Sequence, residues 1–413
     1  MRWLHTSDWH LGRGFHGTSL HDAQQEMLDT VCRTVEEHSV DVLLVAGDVY
    51  DRALPPEWAV SMLECCLLRL AEAGTTVIIT SGNHDSAQRL GFGRGLMAAS
   101  GVHLRTALDD AWSPVVLEDG SETVLVYGVP YLEPQLVSSR LELRRATHTA
   151  VMTEVIARIR QDVERRRREL TESGQVRTVL MAHLFAARGV GSDSERVIGV
   201  EAPAGEPVEH SEESSGGLAV VPLELFDEFD YTALGHLHGR QRLAPRVRYS
   251  GSPLRYSFSE SRQAKGAWLW DSADWEAITA VDWAIGRGLA QLSGPLEEIL
   301  DEEMVRRHRE DFVQVTVTDP QRPERAFQRT QEAYPYLATF VHRPPERQGA
   351  ALTYAEAMHR AETPGQVVES FLEHVRGRGA DGQEREILDD AVAAVRRELA
   401  RSGTAAPGKE IQP

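Results

Sequence analysis

Lysine is almost missing from this sequence. Lys265 and Lys409 are the only two, and every other basic residue is an arginine. Genomic base bias can produce that skew, so it excludes nothing by itself. Positive charge as a whole is short: 44 Lys and Arg face 63 Asp and Glu, a formal net charge of −19. A chain this acidic is not a free-standing nucleic-acid binder of the basic-patch kind. An enzyme acting on nucleic acid stays open, provided cations sit in its site or a partner supplies the grip. Cysteine is scarce too. Cys32, Cys65 and Cys66 form no metal-ligand spacing, which argues against a disulfide scaffold and a cysteine-based zinc site. Three reduced, buried thiols are expected. No apolar run approaches the ~20 residues that span a bilayer, and "MRWLHTSDWH" lacks the basic–apolar–small layout of a signal peptide. A cytoplasmic protein with no membrane role is expected.

What is present is strand–helix alternation. With 413 residues the length points to roughly two to three domains. Residues 2–6 read as a strand, and Leu20, Ala23, Met27, Val31 and Val35 recur at helical spacing with Ser19 as N-cap. "DVLLVAGD" is a buried strand, 57–73 a helix, and "TTVIITSGNHD" the next strand. A long helix over 147–170 precedes "VRTVLMAH", and "DYTALGHLH" follows later. This pattern predicts an α/β fold with largely parallel, two-sidedly buried strands. Residues 189–217 read as an exposed acidic loop. Beyond about 285, "FVQVTVTD", a helix-like 322–333 and "YLATFVH" suggest a small α/β unit over 309–343, then a linker. Two amphipathic helices follow over 364–401, with faces of Val367, Val368, Phe371, Leu372 and Val375, and of Ile387, Leu388, Ala391, Val392 and Val395. A pair this small calls for a partner surface.

The strands end in the same kind of chemistry. "SDWH" carries Asp8 and His10, "GDVYD" carries Asp48 and Asp51, and "GNHD" carries Asn83, His84 and Asp85. His183 ends "VRTVLMAH", while His236 and His238 end "DYTALGHLH". Ligands in open α/β sheets collect beyond the carboxyl ends of strands, so these loops would share one crevice. Carboxylate, amide oxygen and imidazole together suit borderline-hard ions such as manganese or iron, with zinc possible. The donors are too many for one ion. Two ions bridged by a carboxylate, roughly 3.5–4 Å apart, would use them, activate a water and clamp phosphoryl oxygens. Phosphoester hydrolysis is the reaction indicated.

The ordered set D-x-H, G-D-x-x-D, G-N-H-D, a solitary His and G-H-x-H resembles the calcineurin-like metallophosphoesterase superfamily. "LHTSDWHLGR", "GDVYDRALPP", "SGNHDSAQRL", "FDYTALGHLHGRQ" and "YSGSPLRYSFSE", with "SDSERVIGV" less closely, resemble its SbcD branch of DNA nuclease subunits. The resemblance implies a β-sandwich flanked by helices, a small α/β capping domain and a C-terminal helix pair. The boundaries it suggests are a nuclease domain over 1–280, a cap over 281–345, a linker over 346–362, the helical segment over 363–402 and a disordered tail over 403–413. The region 266–285 fits the family only loosely, and the 201–216 stretch is more acidic than the family leads one to expect.

Carried over, the resemblance implies that Asp8, His10, Asp48 and His238 hold one ion and that Asp48, Asn83, His183 and His236 hold a second, most often Mn2+. His84 would face the scissile phosphate, stabilising the transition state or protonating the leaving oxygen. Asp51 and Asp85 would orient His84 or a ligand imidazole, with turn capping an equal alternative for Asp85. Arg13, Arg52 and Arg89 follow three of the motifs directly and could touch the DNA backbone. The implied activities are ATP-dependent double-strand exonuclease and single-strand or hairpin endonuclease, in DNA repair and recombination. The implied partners are DNA ends and hairpins, an SbcC-type coiled-coil ATPase bound through the C-terminal helices, and a second copy in a 2:2 complex, nucleoid-associated in the cytoplasm. An apolar stripe of Trp58, Met62, Cys65, Cys66 and Leu70 reads first as core and second as a homodimer face. "ERRRRE", 164–169, reads as a solvated helix face. Two rivals stand beside the nuclease: a small-molecule phosphodiesterase on the same scaffold, and a non-catalytic scaffold for a coiled-coil ATPase.

Overall fold

The computed structural model describes residues 1–120, 122–169, 175–187, 220–345, 363–376 and 378–401. Two compact units emerge, Met1–Pro344 and Pro345–Pro413. The expected acidic loop, the "SDSERVIGV" stretch, the linker and the tail lie wholly or mostly outside the described residues.

Strands buried on both faces, their side chains alternating between two layers, build the first unit. Its first sheet carries four parallel strands, β1 (Arg2–Thr6), β2 (Val42–Ala46), β3 (Thr76–Thr80) and β4 (Val102–Arg105). The second sheet centres on β5 (Glu122–Val129), β6 (Gln175–His183) and β7 (Tyr231–Gly235), also parallel to one another. Trp3, Val42, Leu44 and Ile78 on one face of the first sheet pack with Val124, Val126, Val179, Met181 and Tyr231 of the second. Their strand neighbours Leu4, Leu43, Val45, Val77 and Ile79 point the other way, onto helices α1 (His21–His38) and α2 (Glu57–Glu72). Leu125, Tyr127, Leu180 and Leu234 do the same on the far side, onto α3 (His148–Glu169). Strands buried on both faces read as continuous apolar runs, and here they give four layers, helix–sheet–sheet–helix.

The region that fits the family loosely is part of the first sheet. Strands β8 (Gly266–Asp271) and β9 (Asp274–Asp282) return to it, β8 lying antiparallel beside β1, and Trp270 stacks on Trp3 at 5.7 Å. The small α/β unit is larger than 309–343, because β10 (Leu289–Gly294) precedes β11 (Phe312–Val317) and β12 (Leu337–His342) in a parallel sheet. The helix expected over 322–333 is Ala326–Ala333, and two short helices, Leu296–Ile299 and Glu302–His308, precede β11. Helix α1 starts two residues after Ser19: Leu20 occupies the N-cap position, and Ser19 Oγ accepts from the His21 N–H at 3.2 Å.

Cys32 and Cys66 are buried with Sγ atoms 3.7 Å apart, but Cys65 is exposed, which corrects the expectation of three buried thiols. Val60 and Leu68 of α2 are exposed as well. In the arginine run, Arg165 pairs with Asp162 and Glu169, and Arg166 with Asp162. The second unit contains α4 (Pro364–Arg376) and α5 (Gly382–Arg401), with Phe371, Val375, Ile387 and Val395 exposed. Among the described residues no helix is long and apolar enough to cross a membrane.

Candidate metal centre

Five strand ends meet at one rim. Asp8 and His10 follow β1, Asp48 follows β2, Asn83 to Asp85 follow β3, His183 closes β6, and His236 and His238 follow β7. The two sheets can approach here because Gly235 has no side chain: a Cβ there would stand 1.7 Å from the Ala46 carbonyl oxygen. The loops turn sharply as they leave the sheet. Asp8, His10, Asp48 and His236 take φ values of 54°, 46°, 48° and 105°. Left-handed backbone at four non-glycine residues is costly, and it gathers where a site dictates the geometry.

Asp48 is the hub. Its Oδ2 lies 3.3 Å from His183 Nε2, 3.7 Å from His10 Nε2 and 3.9 Å from His84 Nε2. Its Oδ1 accepts the His84 backbone N–H at 2.9 Å. His183 Nε2 also stands 3.0 Å from Asn83 Oδ1, while its Nδ1 donates to the Ala46 carbonyl at 2.9 Å. On the other side, His10 Nε2 and His238 Nε2 face one another at 3.1 Å. Asp8 accepts the His236 N–H at 3.0 Å and the Ser7 hydroxyl. Ligand atoms of Asp8, His10 and His238, and of Asp8, Asp48 and His183, converge closely enough to hold an ion. All of these side chains except Asn83 are buried.

Burial and charge sort the protonation states. Burial pushes Asp8 up to about 6, with Asp48 adding to it and His183 and His238 opposing it. Burial opposes the Asp48 charge as well, but His183, His10 and His84 outweigh it and hold the carboxyl well below its usual range. His10 and His236 are driven well below the ordinary imidazole value by burial, leaving them neutral. For His183, burial lowers the value, and the Asp48 carboxylate more than reverses this, to about 9. The centre therefore draws positive charge to the place between Asp48 and His183. The neutral imidazoles of His10 and His236, the carboxylates and the Asn83 amide oxygen form a donor set that divalent ions fit, and His183 joins it once an ion takes the place of its proton.

The surrounding residues are placed with equal definition. Asp51 accepts from His84 Nδ1 through its carbonyl at 2.8 Å, and its carboxylate lies 3.7 Å from His10 Nδ1. Asp85 touches no imidazole: it accepts the backbone N–H groups of Tyr50, Gly82 and Val49 at 2.8, 2.9 and 3.1 Å. It thus ties the β2 and β3 loops together. Arg13 lies over the Tyr256 ring at 4.8 Å and 3.7 Å from Asp51, Arg89 donates to the Ala53 carbonyl at 3.0 Å, and Arg52 is exposed. Sequence reasoning missed what stands behind the first cluster. Glu260 Oε1 lies 3.3 Å from His238 Nδ1, and Lys265 Nζ donates to Glu260 Oε2 at 2.5 Å. Burial opposes the Glu260 charge, but His238 and Lys265 prevail and hold it well below the carboxylate range. The Tyr256 ring sits 5.3 Å from His10 and 5.6 Å from His238. Two signals in the sequence pointed there: "YSGSPLRYSFSE" ends on Glu260, and Lys265 is a lysine in a chain that otherwise uses almost only arginine.

Residues 1–240 match the family described as calcineurin-like phosphoesterase. The chain belongs to that family. Residues 286–376 of this phosphoesterase match a second family, described as the type 5 capsule protein repressor C-terminal domain. The chain is 29% identical over 318 residues to the SbcD subunit of the SbcCD nuclease of Staphylococcus saprophyticus, a match that spans 76% of this chain and 77% of that protein. Similar solved structures include a dimetal phosphatase from Danio rerio, 14% identical, covering 65% of this chain and 91% of that one with a TM-score of 0.37. Another is an archaeal phosphodiesterase, 9% identical, covering 68% and 100% with a TM-score of 0.29. At those scores neither adds to the assignment. The phosphoesterase is a homologue of SbcD, and its donor cluster is of the kind that binds divalent metals.

Proposed function

We propose that this phosphoesterase is the nuclease subunit of a complex with an SbcC-type coiled-coil ATPase, cleaving DNA phosphodiester bonds at ends and hairpins in repair and recombination. The observation that carries the reading is the convergence of five strand ends on Asp48. Asp8, His10, Asp48 and His238 would hold one ion and Asp48, Asn83, His183 and His236 the other, with Mn2+ as the metal. When bound, such a pair makes a water acidic enough to attack at neutral pH and neutralises phosphoryl oxygens. The chain's own residues do the rest. Asp48 spans both ligand sets. His84, its Nδ1 donating to the Asp51 carbonyl, presents Nε2 to the centre, where it stabilises the transition state or protonates the leaving oxygen. Asp85 fixes the loops that carry Asp48 and Asn83. Arg52, at the exposed rim, and Arg13 and Arg89 beside it would meet the DNA backbone.

The acidic chain does not grip DNA alone. The ATPase, met through exposed Phe371, Val375, Ile387 and Val395, supplies most of the affinity; a second copy completes a 2:2 assembly through exposed Val60, Cys65 and Leu68 of α2, since Met62, Cys66 and Leu70 of the expected stripe are buried in the core. The domain limits we propose are 1–280, 281–345 and 363–402, the first falling two residues before the end of β9, in a cytoplasmic, nucleoid-associated protein. The test is cleavage by purified protein with Mn2+ of a linear duplex and of a generic aryl phosphodiester. Cleavage of the duplex is expected, and cleavage of the small ester alone would refute the nuclease reading. Deleting 360–413 should abolish ATPase binding yet spare cleavage of short substrates.

A further inference from the structure

Lys265 is the only lysine in the first unit, and it is buried, 2% exposed. Its ammonium faces four acceptors: Glu260 Oε2 at 2.5 Å, the His238 carbonyl at 2.8 Å, Ser252 Oγ at 3.0 Å and Gln263 Oε1 at 3.0 Å. Four acceptors around one point suit a compact ammonium with rotatable donors, whereas a planar guanidinium would need a longer, flatter slot. Glu260 is fully buried, and its second oxygen faces His238 Nδ1 at 3.3 Å and accepts from Ser257 Oγ at 3.2 Å. The pair thus holds His238 twice, through the ring by Glu260 and through the backbone carbonyl by Lys265.

A buried ion pair is weak as a source of stability, since apolar residues of similar volume often do as well. This one lies directly behind a histidine whose Nε2 points at His10 Nε2, 3.1 Å away, in the cluster with Asp8. With a carboxylate on Nδ1, the imidazole keeps its proton there and turns the Nε2 lone pair into the centre.

We propose that Glu260 and Lys265 are positioning residues that fix the tautomer and ring orientation of His238, so that Nε2 is presented as a ligand to the ion held with Asp8 and His10. This rests on the two-ion reading above. It goes beyond it in assigning metal affinity to two residues that touch no ion.

The experiment is calorimetric titration of Mn2+ into the full chain, alongside thermal unfolding in EDTA. The wild type should take up two ions. Glu260→Gln should weaken one of them by about 10- to 100-fold and leave the other within a few-fold. Because the neutral amide of that variant would strand the Lys265 ammonium, the double variant Glu260→Gln/Lys265→Met keeps the pocket neutral and the chain folded. It should show the same loss at one ion. A double variant that unfolds like the wild type and binds both ions with wild-type affinity would overturn the proposal, reducing the pair to a structural staple. A wild type that binds fewer than two ions would instead bring down the two-ion reading, and the proposal with it. Independently of any variant, imidazole 15N spectra of the wild type should show His238 protonated at Nδ1. Protonation at Nε2 alone contradicts the assignment.

Discussion

Replacing Gly82 by alanine pushes on Asp48 without removing any of the ligand side chains. The β3 loop crosses the β2 loop so closely that a Cβ on residue 82 would stand 2.1 Å from Asp48 Oδ1 and 2.3 Å from Asp48 N. Real Cβ contacts do not fall below 3.0 Å, so one loop must yield by about 0.9 Å. Asp48 cannot give way as a flexible side chain would, because its backbone nitrogen is part of the clash and its Oδ1 is held by the His84 N–H. Gly82 has no left-handed φ, so alanine is not refused on conformational grounds and the effect is one of space. A displacement near 1 Å in a positioned group can cost about 100-fold in rate. Overpacking costs about 1–3 kcal/mol of stability. Gly82→Ala should therefore lose about two orders of magnitude in Mn2+-dependent cleavage and bind metal more weakly, in a chain that still folds. Gly95→Ala, whose Cβ meets nothing within 4 Å, is the matched control and should be silent. Wild-type activity and metal affinity in Gly82→Ala would show that Asp48 does not stand at the centre of the site.

His84→Ala should cut turnover by about 10²- to 10⁴-fold while Mn2+ stoichiometry stays at two; full activity on duplex DNA would remove His84 from the chemistry. Asp85→Ala leaves three backbone N–H groups without their acceptor, so denaturant unfolding should reveal a loss of about 3 kcal/mol, and a change near zero would mean that water replaces the carboxylate. Away from the site, burial opposes the Asp162 charge, but Arg166, Tyr127 and Arg165 hold its carboxyl below the usual 3.8. Its contribution is therefore present above pH 3.8 and fades as pH falls below that value. Asp162→Asn should therefore melt earlier than the wild type at about pH 7, and the gap should close as the two are compared toward about pH 3. A gap that does not change with pH would assign the effect to shape and not to charge.

The centre was legible because its donors sit in short stretches that directly end apolar strands, so D-x-H, G-D and G-N-H-D announce both the element and the chemistry. Two-sided burial explains the sheets equally well, since Trp3 and Leu4 must face different layers once both sides of β1 are covered. Other features depend on contacts that local pattern does not encode. Glu260 meets His238 across 22 residues, past two short strands, Gln241–Ala244 and Val247–Tyr249, and nothing in the local pattern of either residue announces the other. Strand β10 alternates weakly, as Leu289 and Leu292 are half-buried and Ala290 supplies its one buried side chain. Cys65 shares a dipeptide with buried Cys66, and about 100° of helical rotation between neighbours puts one thiol in the core and the other outside. Asp85 could orient a ring or hold a turn on sequence grounds. The three N–H groups it accepts come from two different loops, and only the fold brings them together.

Anomalous diffraction at the manganese edge, from crystals of the full chain grown with Mn2+, tests the central claim most directly. Two peaks are predicted, roughly 3.5–4 Å apart, one against Asp8, His10 and His238, the other against Asn83, His183 and His236, with Asp48 between them. A single peak, or a pair that Asp48 does not bridge, would contradict the account.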